Sequence, residues 1–224
     1  MKSRSYNQFC ALAVALDLVG ERWTLLIVRE LLAGPRRFKD LMDGLPGISS
    51  NLLSERLKGL EQQGILYRHV LPPPAGSTVY ELTPLGQALE KAVLELGKWG
   101  SQFLPASLEN IALPSLGAIA LAIKAFFHPE QAQGVDATYE LHLGKEVLQV
   151  QVKDGQLQVQ QGGPQKADML FHTEMQVFVG LFAGQLKPDE AISAGLIRVE
   201  GDRMEDPLRA LNRFLSITGV PGSP

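Results

Sequence analysis

The stretch SSNLLSERLKGLEQQGILYRHVL, residues 49–71, joined through a proline-rich loop to TVYEL, residues 78–82, decides how the first half of this chain folds. Leu53, Leu57 and Leu60 fall at i, i+4 and i+7 and make one apolar stripe, which predicts a helix over residues 50–63. Ser49 is a good N-cap for it, and Gly64 closes it. Asn51, Ser54, Glu55 and Lys58 project from the opposite side, with Ser50 at the first turn. Short polar side chains near a helix N-terminus are what a major groove admits: Ser and Asn hydrogen-bond base edges, and the helix terminus approaches phosphate without a clash. After Gly64, residues 65–71 and 78–82 read as two short strands around the loop of residues 72–77.

Upstream, apolar periodicity predicts helices over residues 9–19 and 23–32, with a break at Glu21-Arg22 and a stop at Gly34-Pro35. A short amphipathic segment, residues 38–42, follows Arg36-Arg37. Three helices and then a hairpin is the winged helix-turn-helix order, in which the hairpin is the wing. The expected DNA-binding set is therefore Arg36, Arg37 and Lys39 ahead of the helix, Ser49, Ser50, Asn51, Ser54, Arg56 and Lys58 on it, and Arg68, His69 and Ser77 on the wing. Arg56 lies at the edge of the buried stripe and reads equally well as a partner of Glu55 or Glu61.

Thr83-Pro84 opens a further helix expected to run to about Trp99. Along it Leu85, Leu89, Ala92, Leu96, Trp99 and Phe103 alternate at spacings of four and three. Such a seam packs against another long helix, here the symmetry mate or the N-terminal helix of a second subunit, the alternative being packing on its own domain.

Cys10, Ala15-Leu16-Asp17, GERWTLLI (20–27), RELL (29–32), GPRRF (34–38), LPGIS (45–49), Leu53, Arg56-Leu57, Leu60-Glu61, Gly64-Ile65, Tyr80, LTPLG (82–86) and Trp99-Gly100 form a continuous pattern. Over about residues 7–101 the chain resembles the HxlR type of bacterial winged-helix regulator, a relative of the MarR group. The resemblance implies a homodimeric transcription factor that binds double-stranded DNA at a pseudo-palindromic operator. It also implies that a cysteine at the place of Cys10 acts as an oxidation sensor. With no cationic neighbour in the sequence, the residues by themselves favour a buried, inert thiol.

Beyond Trp99 the periodicity weakens, and residues 104–114, with Pro105 and Pro114, read as a connector. A second pattern follows: a helix over 115–127, strands over 138–152 and 157–161 joined at Asp154-Gly155, and a strand over 167–172. The box Thr173-Glu174-Met175-Gln176 is expected to cap a helix ending at Gly184. A short helix from Pro188 to Gly195, a strand over 196–200 and a last helix from Asp206-Pro207, carrying Leu208, Leu211 and Leu215, complete it. Gly155, Ala167-Asp168, Phe182-Ala183-Gly184 and AGLIRVEGD (194–202) in this order resemble the sterol-carrier-protein domain over about residues 115–218. That resemblance implies an apolar tunnel, whose expected lining is Phe126, Tyr139, Leu141, Phe171, Met175, Phe178, Val179 and Phe182. The expected fold class is α+β: a winged helix-turn-helix domain over 1–103, the connector, and an α+β sterol-carrier-protein-like domain over 115–224.

The 224 residues carry a net charge of −3. Residues 1–100 hold 12 Lys/Arg against 10 Asp/Glu, net +2, and residues 101–224 hold 9 against 14, net −5. A hydrophobic share of 45% with 20% charged residues excludes a disordered chain or a uniformly basic coat. The single cysteine excludes a disulfide framework and fits a reducing, cytoplasmic compartment. Apolar runs near residues 10–16 and 111–127 are interrupted by Asp17 and Glu21 and by Pro114 and Lys124, so no membrane span is expected. His128, His142 and His172 lack metal-ligand spacing, and Gly162-Gly163-Pro164 lacks the Lys-Ser/Thr of a phosphate loop. The reading is thus no enzyme, no metal and no cofactor. It is a dimeric DNA-binding regulator whose C-terminal domain senses an apolar or lipid-like molecule. The rival is a lipid carrier or scaffold that uses the winged helix for dimerisation and protein interaction.

Overall fold

Helix α1 (Ala11–Val19) stops at Gly20, and α2 (Thr24–Leu31) starts from Trp23, whose carbonyl accepts from the Ile27 amide at 2.8 Å. The computed structural model describes residues 5–72, 76–105, 111–162, 166–201 and 206–219, and its contacts divide the chain into units of residues 1–96 and 97–224. The wing-tip residues 73–75, residues 106–110 of the expected connector, Gly163-Pro164 and Asp202 lie outside the described residues.

In the first unit α3 (Phe38–Gly44) and α4 (Ser50–Gln62) follow α2, and the strands β1 (Leu66–Val70) and β2 (Thr78–Leu82) pair antiparallel. Ile27, Val28 and Leu31 of α2, Leu41 of α3, the Leu53, Leu57 and Leu60 stripe of α4, and Val79 and Leu82 of β2 are all buried. Each such side chain withdrawn from water contributes about 1.5–3 kcal/mol. Arg36 adds a third rung to the wing, exchanging backbone hydrogen bonds with Tyr80 at 3.0 and 2.8 Å. This is the winged helix-turn-helix arrangement.

The single helix expected from Pro84 to Trp99 is instead two, α5 (Pro84–Gln87) and α6 (Glu90–Ser101). Thr83 ties the first turn down: its hydroxyl donates to the Gly64 carbonyl at 2.6 Å and accepts from the Gly86 amide at 3.2 Å. Gly86 is pressed so close to the Ile65 carbonyl that a Cβ there would collide with it. The Leu89 amide then reaches only three residues back, to Gly86, before Val93 to Leu89 resumes the four-residue pattern. Helix α6 also runs through the boundary between the units, at Leu96 and Gly97, upstream of the connector.

The second unit comprises α7 (Leu116–Ala125), β3 (Ala137–Leu143), β4 (Glu146–Lys153), β5 (Gln156–Gln161), β6 (Met169–Thr173), α8 (Met175–Phe182), α9 (Pro188–Ser193), β7 (Ile197–Glu200) and α10 (Pro207–Thr218). The sheet order is β5-β4-β3-β6-β7, antiparallel except for the β3–β6 pair. The strand expected over 138–152 is two strands, because Gly144 takes a φ of +63° and turns the chain while its amide donates to Thr173. The Asp154-Gly155 hairpin is where the sequence places it, both residues having positive φ. Thr173 does not cap α8. It ends β6 and its hydroxyl donates to the Leu196 carbonyl at 2.8 Å, leaving Glu174 as an N-cap without a side-chain bond.

The centre of this unit is aromatic. Tyr139 of β3, Phe171 of β6 and Phe214 of α10 are fully buried, with ring centroids 5.1–6.0 Å apart. Phe214→Ala is expected to destabilise the second unit by about 3–5 kcal/mol. A urea titration followed by far-UV circular dichroism checks it: the second unit's transition moves to lower urea while the first unit's stays in place.

Candidate nucleic-acid interface

The buried leucine stripe fixes which side of α4 faces outward. Ser49 caps the helix, its hydroxyl accepting from the Leu52 amide at 3.3 Å, and Ser50, Asn51, Ser54 and Lys58 are exposed on the outer side. Arg37 and Lys39 at the start of α3 and Arg68 on β1 are exposed as well. Serine hydroxyls and an asparagine amide flanked by lysine and arginine offer groups for base edges and for phosphates.

Of the expected basic contacts Arg36 is corrected, and Arg56 takes the alternative of pairing within its own chain. Arg36 is 5% exposed, and its Nε–H points back at the Glu30 carbonyl at 3.4 Å, because its backbone is the rung that joins the wing. Arg56 turns inward: its Nε–H donates to the Arg22 carbonyl at 3.2 Å, and its two terminal nitrogens reach Glu21 at 3.1 Å and Glu55 at 3.0 Å. On the wing, His69 lies 2.8 Å from the Glu81 carboxylate and stacks on Tyr67 at 5.1 Å. The hydrogen bond to Glu81 favours the protonated Tyr67 phenol and raises its pKa, with burial adding in the same direction. Ser77 is half-buried, and its carbonyl accepts from the Leu71 amide.

The expected seam is apolar and open to solvent. Trp99 is 60% and Phe103 70% exposed, their rings 5.0 Å apart, and Leu85, Ala92 and Leu96 are exposed beside a half-buried Leu89. Leu12, Val14, Leu16 and Leu18 of α1 are exposed too, a feature the heptad-like spacing did not single out. Cys10, for which the residues alone favour burial and the resemblance implies a sensor, is an exposed free thiol at the N-cap of α1.

In the second unit the expected tunnel lining divides. Tyr139, Leu141, Phe171 and Phe178 are buried, and Phe214, which the sequence reading did not name, fills the space between Tyr139 and Phe171. Phe214 falls three residues after Leu211, on the apolar stripe of α10, which is the signal the sequence holds for it. Phe182 is buried with its ring 6.5 Å from that of Phe126, and Phe126, Met175 and Val179 are half-buried near the surface.

On the other face of the sheet His142 and His172, opposite each other in the parallel β3–β6 pair, stack at 4.4 Å. His142 Nε2 lies 2.6 Å from Glu140 and His172 Nε2 3.8 Å from Glu200, although neither nitrogen is aligned for a hydrogen bond. Among the described residues no group of three His, Cys, Asp or Glu is arranged to hold a metal ion, and no helix is long and apolar enough to cross a membrane.

An exposed polar helix face, a wing and a basic surround define a winged helix-turn-helix DNA-binding protein. Residues 18–108 match the HxlR-like helix-turn-helix family, and residues 123–205 match the SCP-2 sterol transfer family. Among similar proteins, the HTH-type transcriptional regulator YodB of Bacillus subtilis is 44% identical over 89 residues, 40% of this chain and 80% of YodB. The HTH-type transcriptional regulator YvaP of the same organism is 40% identical over 93 residues, 42% of this chain and 86% of YvaP. The crystal structure of quinone-bound YodB covers 41% of this chain and 97% of that one, at 40% identity and a TM-score of 0.36. The chain belongs to the HxlR-like family of helix-turn-helix transcriptional regulators, and carries in addition an SCP-2 domain.

The histidine pair generates a pH prediction. Burial first, then the charges of His142 and Arg198, hold the His172 pKa below its ordinary value of 6.5, against the opposing pull of Glu200 and Glu140. The unfolded chain therefore takes up the proton first. This contribution to stability is complete above pH 6.5 and is lost as the pH falls through the folded-state value. His172→Gln is expected to flatten the decline of the urea midpoint between about pH 7.5 and about pH 5, leaving the neutral-pH midpoint close to wild type.

Proposed function

We propose that this chain regulates transcription as a homodimer, with α4 of each subunit in the major groove of a two-fold symmetric duplex and the wings on the flanking backbone. The observation that carries the reading is the exposed row Ser50, Asn51, Ser54 and Lys58 on a helix whose opposite side is buried. Exposed Trp99 and Phe103 on and just beyond α6, and the exposed leucines of α1, support a second copy as their cover. Two-fold symmetry sets the half-sites about 34–36 Å apart, one turn of the duplex or a multiple of it.

Arg37, Lys39, Lys58 and Arg68 are the residues assigned to phosphate. Each neutralised phosphate contributes about 0.9 to the slope of log affinity against log salt, so removing one contact per subunit lowers a dimer's slope by about 1.8. Selection of bound sequences from a random duplex pool, then a salt titration of Lys39→Gln and Arg68→Gln, checks this. A wild-type protein without salt-sensitive duplex binding overturns the regulator reading. Trp99→Glu is expected to shift the sedimentation mass from dimer to monomer and to abolish duplex binding.

Two inputs follow from the same reading. The SCP-2 match supports an apolar ligand, and the half-buried Phe126, Met175 and Val179 beside Phe182 are the side chains left to meet it. The exposure of Cys10 at the start of α1 supports oxidation sensing. Duplex binding measured with a lipid panel and with a thiol oxidant checks both. Affinity is expected to change with one lipid class for wild type, and with the oxidant for wild type but not for Cys10→Ser. No response to any lipid, and no apolar species in an organic extract of the purified protein, removes the ligand from the reading.

A further inference from the structure

Arg56 sits on α4, among the residues assigned to DNA, yet its guanidinium is directed at the corner between α1 and α2. Three of its nitrogens are engaged, by the Arg22 carbonyl, Glu21 and Glu55, and the side chain is 17% exposed. The next residue along the corner, Trp23, has a φ of +80°, a region sparsely populated for so bulky a side chain, and it initiates α2. Backbone of this kind persists only where its surroundings over-determine it. Arg56 holds the carbonyl on one side of Trp23. On the other, the indole reaches to within 3.8 Å of where a Cβ on Gly47 would stand, and Gly47 lies two residues before the α4 N-cap.

We propose that Arg56 is a positioning residue for DNA binding: it locks the roll of α4 to the α1–α2 corner, and so sets the angle at which Ser50, Asn51, Ser54 and Lys58 meet the groove. The leucine stripe alone permits small rotations, since its contacts are apolar and without direction. Hydrogen bonds to a carbonyl and a carboxylate are directional and remove that freedom. The corner also ends α1, the helix whose apolar face is open to solvent, so a displacement of α1 reaches α4 through the same contacts.

This inference rests on the DNA-binding reading, and the experiment separates the two. A duplex selected by the wild-type protein is titrated across a salt series with Arg56→Gln, Arg56→Lys and Glu21→Gln, with Lys39→Gln as the phosphate-contact comparison. Arg56→Gln and Arg56→Lys are both expected to weaken binding about tenfold at an unchanged salt slope, because a lysine keeps the charge but not the fork of donors. Glu21→Gln is expected to weaken binding too, although it removes a negative charge.

A phosphate-contacting Arg56 gives the opposite results: a slope lower by about 1.8 in Arg56→Gln, full affinity in Arg56→Lys, and tighter binding in Glu21→Gln, each of which overturns the proposal. Glu21 is 67% exposed at the surface, so the sign of its effect decides the matter even where Arg56→Gln fails to fold. Loss of salt-sensitive binding in the wild type is the separate outcome that defeats the functional reading itself.

Discussion

Helix α4 is anchored on one side and bare on the other, and three leucines impose both conditions. Leu53, Leu57 and Leu60 are removed from water on a helix that packs against β1 of the wing, and their spacing leaves serine, asparagine and lysine outside. The stripe is worth several kcal/mol in apolar burial. It sets the depth of α4 and its approximate roll, and the polar contacts around it refine what burial alone leaves loose. Thr83 at the base of the wing and Arg36 in its third rung do the same for the hairpin, tying it to the end of α4 and to the stretch before α3.

The exposed apolar residues of α1 and α6 are the complement of that economy. The first unit has enough apolar side chains to fill its interior and to leave those of α1, Leu85 and Leu96 outside, and Trp99 and Phe103, past the boundary at Gly97, are exposed as well. Water-exposed tryptophan, phenylalanine and leucine at helical spacing are costly for a solitary chain, and covering them offsets the cost. The charge division fits the two tasks. The slightly positive half carries the exposed Arg37, Lys39, Lys58 and Arg68, and the negative half carries a sheet whose outer side is polar and whose inner side is filled with aromatic rings.

Much of the fold was legible because it is written in local periodicity. The α4 stripe, the Thr83-Pro84 start and the Asp154-Gly155 hairpin each show in a few adjacent residues. What escaped depended on partners distant in sequence. The break between α5 and α6 arises from the Ile65 carbonyl pressing on Gly86, and the turn at Gly144 carries a weaker signal than Asp-Gly. Among site residues, the short polar side chains of α4 fall where their spacing puts them, on the outer face. Arg36 was misread and Arg56 left open for one reason: a basic residue beside α4 looks the same in sequence whether its side chain is free at the surface or bonded to its own chain. Only the partners Tyr80, Glu30, Arg22 and Glu21 distinguish the cases. The aromatic residues of the second unit were ambiguous in the same way until Phe214 was seen between two of them.

The position of Phe214 bears on the order in which the chain acquires structure. Tyr139 and Phe171 belong to strands paired in parallel, and both wait for the ring of Phe214, supplied by α10, 75 residues after the first and 43 after the second. The first unit closes its interior with contacts that all lie before Gly97. On a ribosome that unit is able to fold while the second is still being made, whereas the second completes its centre only after residue 214 has emerged. The half that touches DNA is therefore shaped first, and the other half matures behind it.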